Sequence, residues 1–142
     1  MEIGYNTSPC AQIYNYVMDN PGSKPKDIKE NLNLGGNTTY MQLLKLKSAG
    51  VLFENNGFFP RPIRKRNVDI DEHNERNPDV KILLTFTNVY PGITVEELAG
   101  KVDKHPATVL RVATRLSNNG LLALVMGRGK HQSECYPRVI PA

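Results

Sequence analysis

Two stretches of this chain follow one pattern: residues 21–52, PGSKPKDIKENLNLGGNTTYMQLLKLKSAGVL, and residues 91–122, PGITVEELAGKVDKHPATVLRVATRLSNNGLL. A Pro-Gly pair opens each stretch, and a glycine followed by two apolar residues closes it. The two therefore align without a gap at an offset of 70 residues, from Pro21 to Pro91. Because the turn residues agree as well as the apolar ones, the sequence predicts two copies of one structural unit.

The repeat extends outward on both sides of these stretches. Downstream, FPRPI at residues 59–63 resembles YPRVI at residues 136–140 at an offset of 77, so about seven extra residues precede the second match. Upstream, Pro9 and Pro78 each precede an amphipathic helical pattern, at residues 10–20 and 79–90. A proline suits the first position of a helix because its missing N–H would have no partner there. Each copy is therefore predicted to begin with a helix.

A second, shorter helix is predicted in each copy, over residues 24–31 and 95–102. Thr94 and Glu97 have the spacing of a capping box, in which the threonine oxygen accepts from a backbone N–H and the glutamate reaches back. In the first copy we expect Ser23 to provide the cap.

Each copy continues with a third helix and a hairpin. The third helix, of about 12 residues, is expected to end at Gly50 or Gly120, because glycine readily takes the left-handed conformation that closes a helix. Asn-Gly between apolar runs is a strong hairpin signal, and Asn56-Gly57 supplies it in the first copy. In the second copy the hairpin is predicted to turn through residues 127–130, and the seven extra residues lie in it.

The third helix of each copy is predicted to have two chemically different faces. At 100° per residue, the core face in the second copy holds Leu110, Ala113 and Leu116, with Val109 beside them. The opposite face holds Thr108, Arg111 and Arg115, and it is cationic. In the first copy the core face is predicted to hold Tyr40, Leu43 and Leu46. The outer face there holds Thr38, Met41 and Lys45, with Asn37 and Gln42 at its edge, and it is polar but less basic.

Two helices, a turn, a third helix and a hairpin, in this order, resemble the winged helix-turn-helix family. The resemblance covers nearly the whole chain apart from a connector, and no invariant motif carries it. It implies an α+β, mainly α fold of two tandem winged helix-turn-helix domains, each with three helices plus a β-hairpin wing. The domains are expected at residues 1–66 and 79–142, with an acidic polar linker at 67–78.

The resemblance also implies where DNA would bind. In that family the third helix usually enters the major groove, and the wing touches phosphate or the minor groove. By position, the second copy offers Thr108, Arg111 and Arg115 on the helix and Arg128, Lys130 and His131 on the wing. The first copy offers Thr38, Gln42 and Lys45, followed by the basic run Arg64, Lys65 and Arg66. The structural alternative is that these charges only face water, as outward charges commonly do.

The resemblance points to a sequence-specific protein that binds double-stranded DNA, a transcriptional regulator. Two alternatives stay open: a tandem winged-helix adaptor that binds proteins, and a small DNA-binding protein of replication initiation or partition. Phe58-Phe59, beside a hairpin tip that lacks cations, leave a homodimer open as well. Alternation along a strand would equally place one of these rings in the core and need no partner.

The charge distribution agrees with a polyanionic partner. The net charge is +4 and the isoelectric point is about 9.1. Residues 1–66 hold 9 Lys and Arg against 5 Asp and Glu, residues 67–77 hold 1 against 4, and residues 78–142 hold 8 against 5. Two basic blocks therefore flank an acidic spacer, which DNA would repel.

Other classes of function find little support in the sequence. His73, His105 and His131 are scattered, and neither cysteine has a neighbour at metal-ligand spacing, so we expect no metal, no cofactor and no enzymatic role. The chain begins without the cationic and apolar segments of a secretory signal and has no apolar run long enough for a bilayer. A cytoplasmic protein with two reduced cysteines and no membrane partner is expected.

Overall fold

The computed structural model describes residues 8–65, 78–127 and 132–140. The fold is α+β and mainly helical. Contacts divide the chain into two compact units, with the boundary between Arg61 and Pro62; we call them the N-terminal unit and the C-terminal unit. Residues 66–77, which include most of the expected linker, lie outside the described residues, so the predicted domain boundaries stay a prediction.

The N-terminal unit consists of three helices followed by a hairpin. Its elements are α1 (Pro9–Asp19), α2 (Pro25–Leu32), α3 (Gly36–Ser48), β1 (Leu52–Glu54) and β2 (Phe58–Pro60). The Ser8 hydroxyl oxygen caps α1 by accepting from the N–H of Ala11 at 3.1 Å. Strands β1 and β2 are antiparallel, and Phe53 stacks on Phe59 across them, with ring centroids 5.4 Å apart.

The C-terminal unit repeats this order and adds short strands. Its elements are β3 (Arg64–Lys65), α4 (Pro78–Val89), β4 (Ile93–Thr94), α5 (Val95–Val102), α6 (Pro106–Asn118), β5 (Leu122–Val125), β6 (Glu134–Pro137) and β7 (Val139–Ile140). Strands β4, β6 and β5 form an antiparallel sheet in that order, and β3 pairs in parallel with β7. The predicted capping box is confirmed, since both Thr94–Glu97 bonds are present.

The repeat is visible in backbone hydrogen bonds between the turn after the first helix and the hairpin. The N–H of Gly22 donates to the carbonyl of Phe58, and the N–H of Gly92 donates to the carbonyl of Cys135, both at 2.8 Å. The donors are 70 residues apart in sequence and the acceptors 77, as in the sequence match. The seven extra residues therefore fall between Leu122 and Cys135, in the β5–β6 hairpin, as predicted.

The third helices end in the same way in both units. The N–H of Val51 donates to the carbonyl of Leu46, and that of Leu121 to the carbonyl of Leu116, both at 2.9 Å. The intervening Gly50 has a φ of 78° and its counterpart Gly120 a φ of 77°. These glycines take the left-handed conformation that the sequence predicts for them. In both units the chain then continues directly into a strand.

Two local predictions for the N-terminal unit are wrong. Ser23 does not cap α2, because its hydroxyl donates to the carbonyl of Asn20 at 2.6 Å and Lys24 occupies the cap position. Tyr40 does not face the core, since it is 60% exposed and Thr39 is buried instead. The hydroxyl of Thr39 donates to the carbonyl of Gly35 at 2.9 Å, which satisfies the polar group that burial would otherwise leave without a partner.

Gly57 provides a test of the contact between the hairpin and the first turn. Its φ is 146°, and a Cβ there would collide with the carbonyl of Gly22. Gly57→Ala is expected to destabilise the N-terminal unit by about 1–3 kcal/mol. Gly100→Ala is the matched control: a Cβ on this exposed residue of α5 meets nothing within 4 Å, so it should stabilise by about 0.5–1 kcal/mol. Thermal unfolding followed by circular dichroism measures both, and a Gly57→Ala protein with the wild-type midpoint would contradict the contact.

Candidate nucleic-acid interface

Helix α6 is held by its ends and by its buried side. The ring of His105 caps it, with Nδ1 accepting from the N–H of Ala107 at 3.0 Å, and Pro106 takes its first position. Val109, Ala113 and Leu116 are at most 2% exposed and lie in the core of the C-terminal unit. Because this side is buried, the opposite side of the helix faces solvent.

The outward face of α6 carries the residues that the sequence predicts for it. Thr108, Arg111 and Arg115 are all exposed, and the two arginines lie about one turn apart, roughly 6 Å along the axis. Within the described part of the chain, neither guanidinium group has a carboxylate within ion-pair distance. No described carboxylate therefore neutralises either positive charge.

Two further outward residues of α6, Thr114 and Asn118, lie outside the set that the sequence predicts. Thr114 is exposed, and its hydroxyl donates to the carbonyl of Leu110 at 2.7 Å, so its oxygen can still accept. Asn118, in the last turn, is exposed and carries both a donor and an acceptor. The same 100° helical spacing that identified Arg111 could have found both, because they lie within about 60° of it around the helix.

Several other cations are engaged by their own unit. The ammonium of Lys104 lies 4.0 Å from a carboxylate oxygen of Asp79, and that of Lys101 lies over the ring of Phe86, 5.8 Å from its centroid. In the N-terminal unit Lys47 pairs with Glu54 at 3.0 Å. Of the described cations on the third helices, Arg111, Arg115 and Lys45 are the exposed ones without such a contact.

The equivalent face of α3 has a different chemistry. Thr38 and Lys45 are exposed and Gln42 is half-buried, so these three predicted residues lie on the outer side or its edge. At the centre of this face, however, Met41 and Leu44 stand where α6 has Arg111 and Thr114. The two faces lie at equivalent positions in the two units, but only the face of α6 is strongly cationic.

The remaining predicted DNA-binding residues cannot be added to this face. Arg128, Lys130, His131 and Arg66 lie outside the described residues. The backbone of Arg64 and Lys65 forms β3, which pairs with β7 within the C-terminal unit. A DNA-binding role for these six residues stays a prediction. The basic run Arg64, Lys65 and Arg66 belongs to the same unit as α6.

The described cysteines are buried, and the described potential metal ligands do not form a cluster. Among the described residues, no cluster of three or more His, Cys, Asp or Glu could hold a metal ion. Cys10 and Cys135 are both buried, and burial, reinforced by the neighbouring Glu134 carboxylate, raises the pKa of the Cys135 thiol to about 12. A thiol with so high a pKa is a poor nucleophile at neutral pH.

The burial of both cysteines gives a direct chemical test. At pH 8 the Cys135 thiol should stay protonated, since its raised pKa places ionisation in the folded protein far above that pH. We expect Ellman's reagent to modify neither thiol of the native protein within minutes and both thiols after denaturation in guanidinium chloride. Rapid modification of the native protein would contradict the packing around β6 or α1.

Comparison with protein-family models, with curated proteins and with solved structures finds no match for this chain. No described helix has both the length and the apolar character needed to cross a membrane. The outward helix faces are therefore the features of this chain that bear on its function.

Proposed function

We propose that this protein binds double-stranded DNA in a sequence-specific manner, as a transcriptional regulator built from two winged helix-turn-helix domains. Helix α6 would lie in the major groove, and the β5–β6 hairpin would contact the backbone or the minor groove. One observation carries the proposal: two exposed guanidinium groups, which have no carboxylate partner among the described residues, share an outward helix face with Thr108. That helix is also the third of its unit, the position that reads DNA in the resembled family.

The residue types on α6 suit the major groove. An α-helix fits the groove, which is about 12 Å wide. Arginine can donate two hydrogen bonds to O6 and N7 of guanine, and threonine can bond a phosphate or contact the methyl group of thymine. Asn118 could add a paired contact to adenine. We therefore expect a half-site that contains guanine opposite Arg111 or Arg115.

The overall charge supports the same partner. A protein with an isoelectric point of about 9.1 is attracted to a polyanion, and the attraction weakens as salt screens it. Since α3 has Met41 and Leu44 at its centre, direct reading of DNA is assigned mainly to the C-terminal unit. The N-terminal unit would contribute at most the phosphate contacts that Thr38, Gln42 and Lys45 can make.

Binding of a duplex by charge-matched variants tests the proposal. We expect Arg111→Ala and Arg115→Ala to weaken binding of the selected site by about 10- to 100-fold, because a base contact is worth roughly 1–3 kcal/mol. Lys81→Ala removes the same charge from an exposed residue of α4 and should change affinity less than about twofold. The sites come from selection out of a random duplex pool, and fluorescence anisotropy over a series of salt concentrations gives the affinities.

The salt series separates this proposal from its alternative. A DNA-binding protein should lose affinity steeply as salt rises, and loss of one phosphate contact should reduce the slope by about one. The apolar face of α3 favours a second candidate, a protein-interaction adaptor, which should bind duplex weakly and enrich no sequence. If both arginine variants bind the selected duplex as tightly as the Lys81→Ala protein, α6 is not the DNA-reading helix.

A further inference from the structure

The chain contains two Asn-Gly pairs in nearly the same local sequence. They are Asn56-Gly57, within NNGF at residues 55–58, and Asn119-Gly120, within NNGL at residues 118–121. In an Asn-Gly pair the backbone nitrogen of the glycine can attack the asparagine side chain and close a five-membered ring. Glycine permits this approach because it has no Cβ. The two pairs therefore have nearly equal intrinsic reactivity, and the structure around each pair sets its rate.

The pair at the end of α6 is held by hydrogen bonds. The N–H of Asn119 donates to the carbonyl of Arg115 at 3.1 Å. The N–H of Gly120 donates to the carbonyl of Ser117 at 3.0 Å, and attack by the Gly120 nitrogen would require this bond to break. Leu121, the next residue, is 3% exposed, so a movement of the chain here would also disturb the core. The structure therefore protects Asn119.

The peptide between Asn56 and Gly57 is not held in this way. Asn56 is exposed at the hairpin tip, and no described group bonds to its carbonyl or to the N–H of Gly57. The bonds that close the tip use the next peptide instead. There the carbonyl of Gly57 accepts from the N–H of Asn55, and the N–H of Phe58 donates to the carbonyl of Ser23, both at 2.8 Å.

Rotation of this one peptide plane brings the reacting atoms together. Asn56 has a φ of 56°, so its backbone is left-handed and the Gly57 nitrogen points away from the Asn56 side chain. A rotation of about 180° turns that nitrogen toward the side chain and reverses the sign of φ at Gly57, which glycine accepts. Because the Cα atoms keep their places, the two strands of the hairpin can stay paired during the rotation.

We infer that Asn56 is the site of a spontaneous covalent modification, in which its side chain closes onto the Gly57 nitrogen and water then opens the ring to aspartate or isoaspartate. The Gly57 nitrogen gives up its proton and bonds to Cγ of Asn56. The bond from Cγ to the side-chain nitrogen breaks, and that nitrogen takes up a proton and leaves as ammonia. Water adds to one of the two ring carbonyls and breaks its bond to the Gly57 nitrogen. Attack at Cγ gives aspartate, and attack at the main-chain carbonyl gives isoaspartate.

Conversion changes the charge and the length of the chain at the hairpin tip. Either product replaces a neutral amide with a carboxylate, and isoaspartate also adds one carbon to the main chain directly before Gly57. Gly57 lies so close to Gly22 that a Cβ on it would collide with the Gly22 carbonyl. The longer chain should therefore displace the hairpin from the first turn and make the N-terminal unit less stable.

Peptide mapping of aged protein by mass spectrometry tests the site. In native protein kept at mildly alkaline pH, Asn56 should convert at least about tenfold faster than Asn119, because opening the end of α6 costs a hydrogen bond and core packing. Asn119 is the matched control within the same sample. In guanidinium chloride the two pairs should convert at similar rates. Equal rates in the native protein, or an Asn56 that stays intact there while the denatured protein converts, overturn the inference.

Thermal unfolding followed by circular dichroism tests the consequence for stability. Aged wild type should unfold at a midpoint a few degrees below that of fresh protein. Asn56→His cannot form the ring, and histidine is among the residues that accept a left-handed backbone, so its midpoint should not change on ageing. A converted wild type that keeps the fresh midpoint, or a variant that loses as much on ageing as the wild type, contradicts the displacement of the hairpin. Neither measurement involves DNA, so both leave the proposed function standing.

Discussion

The rotation of the third helix about its own axis decides which residues each unit presents to solvent. In the N-terminal unit Leu43 and Leu46 are at most 1% exposed, and in the C-terminal unit Ala113 and Leu116 are fully buried. Each helix is then tied at its end, where the N–H that follows the glycine donates to the carbonyl of the last buried leucine. Since a turn of a few tens of degrees would pull these side chains out of the core, the outward face is fixed as firmly as the core is packed.

One scaffold therefore supports two surfaces with different chemistry. The buried side and the turns are shared by both units, down to hydrogen bonds of equal length at matched positions. The outward side has diverged, with Arg111 and Thr114 on α6 against Met41 and Leu44 on α3. A cationic face suits a polyanion, and an apolar face suits another protein surface. Under the proposed function, the cationic face of α6 would be the one that contacts DNA.

The sequence predicted well what depends on local chemistry. Proline, glycine and the Thr94–Glu97 pair act within a few residues of themselves, and they located the helices and the capping box closely. The prediction that Tyr40 faces the core was wrong, because Tyr40 and the adjacent Thr39 are both compatible with a helix. Only the packing of the unit decides that the smaller residue, Thr39, is the buried one. The pairing of β3 with β7 could not be predicted either, since it joins strands more than 70 residues apart and each is only two residues long. For the candidate site, helical spacing was enough to place Thr108, Arg111 and Arg115 on one exposed face, while the hairpin cations stay a prediction.

The most direct test of DNA reading by α6 is an NMR titration of the isotopically labelled protein with its selected duplex. Backbone amide signals of α6 between Ala107 and Asn118 should shift or broaden most, together with side-chain signals of Arg111 and Arg115. Signals of α3 around Met41 and Leu44 should change little at protein concentrations where the oligomeric state is constant. Shifts centred on α3, with α6 unaffected, would contradict the assignment of DNA reading to the C-terminal unit.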